Sequence, residues 1–288
     1  MLYTLKNAYV QIKIESFGAE LKSLLSQQTG NEYIWKSDPA YWKRSSPILF
    51  PFVGRLKGQH YLHKGKTYEM GQHGFARDME WSILAKKDES IAFLLTDNKE
   101  TYKKYPFHFQ LIQKYSLFGR KVTVRWTVIN TDKKMMYFSI GAHPAFMCPV
   151  LTEEGMCRIQ FDTKGSLFYK KLNNESLVQE RVYELPLKKG VWEFTKDVFD
   201  QDAYVFENYQ IGHAAFLDNN NKPYLSVSFN APVTGIWSPP HKNAPFVCIE
   251  PWFGRCDADN FTGELKDRQF GNSLAGGAEF AAQYEIEI

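Results

Sequence analysis

A histidine in a short, stiff turn is the first residue of this sequence that could transfer protons. His143 lies within the stretch Ser139 to Phe146, SIGAHPAF, directly after the strand-like run Met135 to Ile140. Gly141 and Pro144 both end regular structure, so we expect the imidazole at the end of a strand. Its pKa near neutrality would suit a general acid or base there. A packing or capping histidine is the alternative.

Glu250 is the second such residue. It follows the apolar run Phe246 to Ile249 and precedes Pro251, so we expect it at the end of a strand. A carboxylate in such a setting is seldom fully buried without a partner. Burial would raise its pKa and suit a general base. The alternative is a structural carboxylate that accepts hydrogen bonds from the backbone or from Arg255.

Three further polar residues have either a structural or a binding interpretation. Arg55 follows Gly54 and could be a forked donor to sugar hydroxyls or to a phosphate, or a surface arginine lying on aromatic rings. His73 lies in a turn that it could simply stabilise. Asp202 precedes a short apolar run and could form an Asx-turn. The remaining histidines have no comparable setting, and we interpret them as surface or structural residues: His60, His63, His108, His213 and His241.

Composition excludes several classes of protein. The net charge of +3 is too small to indicate a nucleic-acid-binding protein. The start of the sequence has no secretory signal pattern, and no apolar run approaches the ~20 residues of a membrane span. The cysteines (Cys148, Cys157, Cys248 and Cys256) show no zinc-site spacing. We expect reduced thiols and a cytoplasmic location, although a Cys248–Cys256 disulfide is conceivable.

Common catalytic motifs are also absent from the sequence. It has no GxSxG elbow, no Walker loop, no dinucleotide fingerprint and no HExxH. Two histidines and two carboxylates leave a metal site open, because distant ligands cannot be recognised from spacing alone.

The dominant hydrophobic period is two, which predicts an all-β protein. In the run Lys121 to Asn130, valines and a tryptophan alternate with polar residues, and Phe107 to Leu117 completes a hairpin with it. Asn98 to Tyr105 could form one or two helical turns. The prolines around Ile48 and Leu49 exclude a central strand there. Short strands without a long amphipathic helix or a linker predict one large antiparallel β-sandwich domain over residues 1–288, with few short helices.

Five short motifs in order make the sequence resemble the aldose 1-epimerase (galactose mutarotase) superfamily, and more narrowly its LacX-like branch. They are Phe50 to Leu56 (FPFVGRL), Gln72 to Asp78 (QHGFARD), Gly141 to Phe146 (GAHPAF), Asp202-Ala203 and Ile249 to Gly254 (IEPWFG). The resemblance covers most of the chain and implies a large antiparallel β-sandwich.

The resemblance also implies a reaction, the interconversion of the α and β anomers of an aldose without a metal or an organic cofactor. By motif, Glu250 matches the general base and His143 the general acid. Arg55, His73 and Asp202 match residues that hold the substrate. The implied partner is a small sugar, with no nucleic acid or membrane, and the chain would be a monomer or a homodimer.

Two departures leave the substrate open. Well-known galactose mutarotases have Asn where this chain has Gly54, which removes one hydroxyl partner. Arg44 and Arg77 lie in stretches similar to those of hexose-6-phosphate 1-epimerases and could bind a phosphate. Equally, Arg77 could pair with Asp78 or Glu80. Arg44 could cap the apolar segment. A hexose-6-phosphate epimerase and a non-catalytic sugar-binding or sensor protein are therefore the alternatives.

Overall fold

The protein is built from antiparallel strands, as its period-two pattern predicts. A computed structural model describes residues 1–148 and 156–288. The strands are β1 (Leu2–Lys6), β2 (Val10–Glu15), β3 (Glu20–Ser26), β4 (Ile48–Leu49), β5 (His60–His63), β6 (Lys66–Glu69), β7 (Ser82–Lys87), β8 (Ser90–Thr96), β9 (Phe109–Phe118), β10 (Lys121–Asn130), β11 (Met136–Phe138), β12 (Ile140–Ala142), β13 (Ala145–Met147), β14 (Cys157–Phe161), β15 (Leu167–Leu172), β16 (Val178–Leu185), β17 (Val191–Phe194), β18 (Tyr204–Glu207), β19 (His213–Leu217), β20 (Pro223–Phe229), β21 (Val233–Trp237), β22 (Phe246–Phe253), β23 (Asn272–Leu274) and β24 (Glu279–Glu287).

Helices are few and short in the described part of the chain. The α-helix α1 spans Lys99–Lys104, where one or two turns were predicted, and Asn98 caps it by accepting hydrogen bonds from the amides of Glu100 and Thr101. The 3-10 helices are Lys57–Gln59, Ala76–Asp78, Lys196–Gln201 and Leu265–Asp267.

Two large sheets contain most of the strands. Within residues 1–148 and 156–288, the nine-stranded sheet has the order β17-β14-β19-β20-β24-β10-β9-β8-β7. Over the same residues the eight-stranded sheet has the order β16-β15-β18-β21-β22-β12-β4, with β13 also paired to β22. Apolar side chains of both sheets share one core, for example Val122 and Trp126 of the first with Val247 and Ile249 of the second. The predicted sandwich is therefore confirmed.

At strand β22 the eight-stranded sheet is buried on both faces, and the two faces differ. Val247 and Ile249 point into the core shared with the nine-stranded sheet. The alternate residues Cys248 and Trp252 belong to separate, smaller apolar clusters. Because successive side chains of a strand point to opposite faces, Glu250 shares the face of Cys248 and Trp252. This second face carries the candidate site.

The proline-bracketed segment forms the edge of this sheet. Strand β4 pairs only with β12 among the described strands, so the expectation that its prolines exclude a central strand is confirmed. No helix among the described residues is long and apolar enough to cross a membrane. Cys248 and Cys256 are both buried and do not form a disulfide.

Candidate active site

His143 and Glu250 lie side by side on the second face of the eight-stranded sheet. His143 Nε2 is 3.4 Å from Glu250 Oε2. Only 7% of His143 and 1% of Glu250 are exposed, so water hardly reaches either group. The two residues proposed as an acid and a base from separate motifs therefore form one buried pair.

Strand register explains why they meet. Gly141 of β12 pairs with Trp252, and Ala145 of β13 pairs with Cys248. The register is the same on both sides of the break between β12 and β13, so its continuation places His143 opposite Glu250. Directly opposite residues in an antiparallel pair have Cβ atoms about 5 Å apart, which suits two side chains in contact.

Glu250 does not end its strand, and the prediction that it does was wrong. Strand β22 continues through Pro251 to Phe253. The proline is tolerated because the side of β22 that faces β12 and β13 has no ladder pair between Cys248 and Trp252 in the described registers. Arg255, a possible structural partner of Glu250, instead forms an ion pair with Glu207 at 2.7 Å.

A tryptophan on the same strand face binds the carboxylate. Trp252 Nε1 donates a hydrogen bond to Glu250 Oε2 at 3.2 Å. Two glycines make room for the indole, because a Cβ at Gly235 would lie 2.5 Å from Trp252 Cζ2 and a Cβ at Gly141 would lie 2.8 Å from Trp252 Cδ1. Gly235 belongs to β21, where it is the ladder partner of Glu250. The indole that lies over Gly235 therefore covers the backbone next to the carboxylate.

Aromatic rings hold the imidazole of His143. The Trp42 ring packs on it at a tilt of 30° with ring centroids 4.7 Å apart, and Trp237 meets it edge to face at 5.3 Å. His73 packs against it at 5.6 Å, also edge to face. His143 Nδ1 is buried and has no hydrogen-bond partner among the described residues. Packing against these rings and the contact of Nε2 with Glu250 therefore orient this imidazole.

Burial moves the pKa values of the pair in opposite directions. It raises the pKa of Glu250 well above 4.5, and the negative charge of Asp202 adds to the rise while the Trp252 hydrogen bond opposes it. It lowers the pKa of His143 below 6.5, and the cations of Arg77 and Arg44 lower it further. Both shifts favour the uncharged forms of the two groups, and the two titrations are coupled because the groups are in contact.

His73 is fixed as a neutral hydrogen-bond donor. Its Nδ1 accepts a hydrogen bond from the amide of Gly54 at 3.1 Å, while its own amide donates to the Gly54 carbonyl at 2.9 Å. Burial lowers the pKa of His73 well below 6.5, and the nearby Arg77 contributes. The ring proton therefore sits on Nε2, the nitrogen that remains for a ligand.

Arg55 and Asp202 affect the pKa values of His73 and Glu250 through their charges. Arg55 is among the cations that lower the pKa of His73, and its buried Nε has no hydrogen-bond partner among the described residues. Asp202, which directly follows the 3-10 helix Lys196–Gln201, raises the pKa of Glu250. Its Oδ2 accepts a hydrogen bond from Ser176 Oγ at 3.2 Å, and its Oδ1 accepts one from the amide of the next residue, Ala203.

Comparison with known proteins identifies the family. The model of the family described as aldose 1-epimerase matches residues 1–281. The chain belongs to the aldose 1-epimerase family. The LacX protein of Lactococcus lactis subsp. lactis is 30% identical over 267 residues, which are 88% of each chain. This supports the LacX-like branch.

Solved structures of two relatives agree with this assignment. A galactose mutarotase related enzyme from Lactobacillus acidophilus is 34% identical, with a TM-score of 0.92 over 100% of this chain and 97% of its own. A galactose mutarotase-like protein from Lactobacillus casei is 30% identical, with a TM-score of 0.93 over 100% and 99%. Family membership supports a general epimerase or mutarotase role.

Gly54, the departure from the pattern of well-known family members, has a packing cause here. Its φ is +72°, and a Cβ would lie 2.5 Å from Cys256 Cβ. Any other residue would be strained at this φ and would collide with Cys256. The position cannot carry a hydroxyl-binding side chain in this backbone.

Arg44 and Arg77 share one carboxylate. Arg44 Nη2 lies 2.7 Å from Asp78 Oδ1, and Arg77 Nε lies 3.7 Å from Asp78 Oδ2. Arg77 Nη2 also donates to the Gln72 carbonyl at 2.7 Å. The pairing of Arg77 with Asp78, one of the structural alternatives, is therefore present. Two cations with one half-exposed carboxylate still leave this rim of the site positive.

One cluster in this site offers metal ligands. His143, Cys248 and Glu250 each present a ligand atom, and these atoms lie within 4.8 Å of one another. Cys248 precedes Glu250 by two residues on the same strand face. Thiol, imidazole and carboxylate are the ligand types that zinc takes in proteins.

Sequence reasoning missed the aromatic residues of the site. Trp252 was detectable in principle, because a residue two positions after Glu250 must share its face. Trp42 and Trp237 were not, because they reach His143 from other parts of the chain.

Proposed function

We propose that the chain is an aldose 1-epimerase that interconverts the α and β anomers of a free hexose. The buried contact between His143 and Glu250, at 3.4 Å, is the observation that carries this proposal. Opening a pyranose ring requires one proton to leave O1 and another to reach O5. The two oxygens are bonded to the same carbon, so an acid and a base must lie side by side, as these two residues do.

The proposed reaction starts from the ion-pair form of the two residues. The Glu250 carboxylate takes the O1 proton, the C1–O1 bond becomes a carbonyl, and the C1–O5 bond breaks. O5 keeps that electron pair and takes a proton from the His143 imidazolium. After rotation about C1–C2, the protonated Glu250 and the neutral His143 act in reverse, and the other anomer closes.

The surroundings suit these roles. The ion-pair form and the neutral form differ only in the position of one proton, so the site passes through both without a change of net charge. Arg44 and Arg77 disfavour the imidazolium and so make His143 a stronger acid. The Trp252 hydrogen bond steadies the carboxylate. His73 Nε2, Arg55 and Asp202 are placed to hold hydroxyls or the ring oxygen.

Anomer exchange observed by NMR tests the proposal. Freshly dissolved α-glucose and α-galactose should equilibrate faster with the protein than without it. Each acid or base group contributes ~100- to 10,000-fold to rate, so Glu250→Gln and His143→Asn should each lose at least about 100-fold. Glu89→Gln, at an exposed position, is the control. Saturable sugar binding without faster exchange would instead identify a non-catalytic sugar-binding protein.

A second candidate keeps the chemistry and changes the substrate to a hexose 6-phosphate. The two guanidiniums that share Asp78 favour it. They lie next to His143, the residue assigned to O5, and so on the side of the sugar that bears C5 and C6.

Opposite charge changes at this rim test the second candidate. Arg44→Gln should weaken competition by glucose 6-phosphate, whereas Asp78→Asn should strengthen it by freeing both arginines. Exchange of free glucose by the same variants is the control. If glucose 6-phosphate does not compete with glucose at all, this candidate is wrong.

A further inference from the structure

A polar groove adjoins the candidate site at Asp202. Its volume is about 760 Å³. It is lined by the loop between β15 and β16, by the end of the 3-10 helix that precedes Asp202, and by Tyr183 and Pro240. The proposed reaction uses none of these groups except Asp202, and the groove is far larger than one more hydroxyl contact would need.

Sheet order fixes where the groove lies relative to the reacting atoms. The order β15-β18-β21-β22-β12 places Asp202, just before β18, on one side of Glu250, and His143 on the other side. Strands β18 and β22 are two steps apart, which is about 10 Å. The site is therefore a row: the groove, Asp202, Glu250, His143 and then the arginines.

This row gives the sugar a direction, which rests on the proposed function. If His143 faces O5 and Glu250 faces O1, the line from His143 through Glu250 runs past C1 toward C2. Asp202 then faces the C2 side of the ring. The groove beyond it is reached by a substituent on C2 or C3, and not by one on C6, which points toward Arg44 and Arg77.

The lining matches a hydroxyl-rich group. It holds four amide side chains, Asn173, Asn174, Gln179 and Gln201, beside the charged Lys171, Glu175, Asp200 and Asp202. An amide both donates and accepts hydrogen bonds, as a sugar hydroxyl does. Tyr183 is also in the lining, with its ring stacked on Tyr169 at a centroid distance of 5.4 Å. Ser176 Oγ, also in the lining, donates to Asp202 Oδ2 at 3.2 Å and joins the groove to the candidate site.

We infer that this groove is a subsite for a second sugar residue, so that the preferred substrate is the reducing end of an oligosaccharide linked through C2 or C3. The first residue lies over His143 and Glu250 with its O1 free. The second residue lies in the groove, where it contacts the β15–β16 loop and Tyr183. A volume of about 760 Å³ falls within the 300–1,000 Å³ that is usual for small-molecule sites.

Disaccharides that differ only in linkage test this inference. Anomer exchange would be measured for 1→2, 1→3, 1→4 and 1→6 disaccharides of the monosaccharide that exchanges fastest, each as a ratio of kcat/KM to that monosaccharide. The expected ratio is at least tenfold for the 1→2 or 1→3 compound, and about one or less for the 1→6 compound. No gain for 1→2 and 1→3, or a larger gain for 1→6, would overturn the subsite.

Variants in the groove localise the effect. Asn174 is exposed, so Asn174→Trp should fold and should fill the groove, removing the disaccharide advantage while leaving exchange of the monosaccharide unchanged. Tyr183→Ala should lower the same ratio, and Tyr209→Ala, at an exposed tyrosine outside the groove, is its matched control. An advantage that survives Asn174→Trp refutes the assignment to this groove.

Failure of the proposed epimerase reaction can be distinguished from failure of the subsite. If no sugar exchanges faster with the protein, the epimerase proposal fails, and calorimetric binding of the same disaccharides then decides on the groove. Tighter binding of the 1→2 or 1→3 compound than of the monosaccharide, abolished by Asn174→Trp, supports the subsite. Equal binding refutes it.

Discussion

Replacing Glu250 by glutamine should slow anomer exchange by at least about 100-fold and, at neutral pH, stabilise the fold. Glutamine has nearly the same shape as glutamate, and its carbonyl oxygen can still accept the Trp252 hydrogen bond. The change therefore removes the ionisable group from a site that is 1% exposed without opening a cavity.

The size of the stability gain depends on pH. The pKa of Glu250 is raised above its unfolded value of 4.5, so its contribution to stability is complete below about pH 4.5 and declines as the pH rises. The decline is about 1.4 kcal/mol per pH unit until the folded-state pKa is reached. Its ceiling at pH 7 is about 3.5 kcal/mol. Glutamine has no such decline, so the variant should be more stable by up to that amount.

Urea unfolding of both proteins between pH 4.5 and 8 measures this difference. The free energies of unfolding should nearly coincide at pH 4.5 and diverge as the pH rises. His143 is present in both proteins, so its own titration largely cancels. Glu89→Gln should show no comparable divergence, because Glu89 is exposed. The assignment of a buried carboxyl with a raised pKa would be refuted by either of two results. One is a difference in free energy of unfolding between Glu250→Gln and the unmodified protein that does not change with pH. The other is a variant that loses stability relative to the unmodified protein as the pH rises.

Two further changes test the contacts of Trp252, and a third tests the buried ion pair of Asp257 and Arg268. Trp252→Phe removes the hydrogen-bond donor to Glu250, so the limb of the pH–rate profile that this carboxylate governs should shift to higher pH. The value of kcat/KM at pH 7 should fall about tenfold, the equivalent of ~1.5 kcal/mol. An unshifted limb would contradict a role of this hydrogen bond. Gly235→Ala places a Cβ 2.5 Å from the Trp252 ring, and urea unfolding should show a loss of about 1–3 kcal/mol. Asp257→Ala leaves Arg268 buried without the carboxylate now 2.7 Å from its Nη1, which should cost about 3–5 kcal/mol in the same assay, whereas Asp88→Ala on the surface should cost little.

Strand alternation made the sheets predictable, because burial of one face forces a period of two. The run Lys121 to Asn130 shows this, since its alternating valines and Trp126 are all buried as expected. The end of β22 was not predictable in the same way. Pro251 indicated a strand end, yet the strand continues because the break between β12 and β13 leaves that side of β22 without a ladder. Whether proline ends a strand depends on a neighbour that is distant in sequence.

The site residues also differ in whether the sequence alone could predict them. The types and local settings of His143 and Glu250 were visible in the sequence, but their contact depends on the register of two strands that meet only in the fold. The extent of the domain, the cytoplasmic location and the oligomeric state stay predictions. The walls of the site, Trp42 and Trp237, come from other segments and left no local pattern.

The strand break explains how one sheet can hold both an acid and a base without loops. An unbroken ladder would continue from Gly141 to Ala145, and the backbone of β13 would be a plain extension of β12. The Pro144 ring removes one amide donor from that ladder, and Pro251 removes one from the facing strand. The register nevertheless continues across the gap, so His143 and Glu250 face each other at its middle step. Strands on both sides fix this step, and rigid elements hold catalytic groups more precisely than loops do. The same strands keep the pair buried, and burial moves both pKa values. The arrangement that suits acid–base chemistry therefore also lowers the stability of the fold.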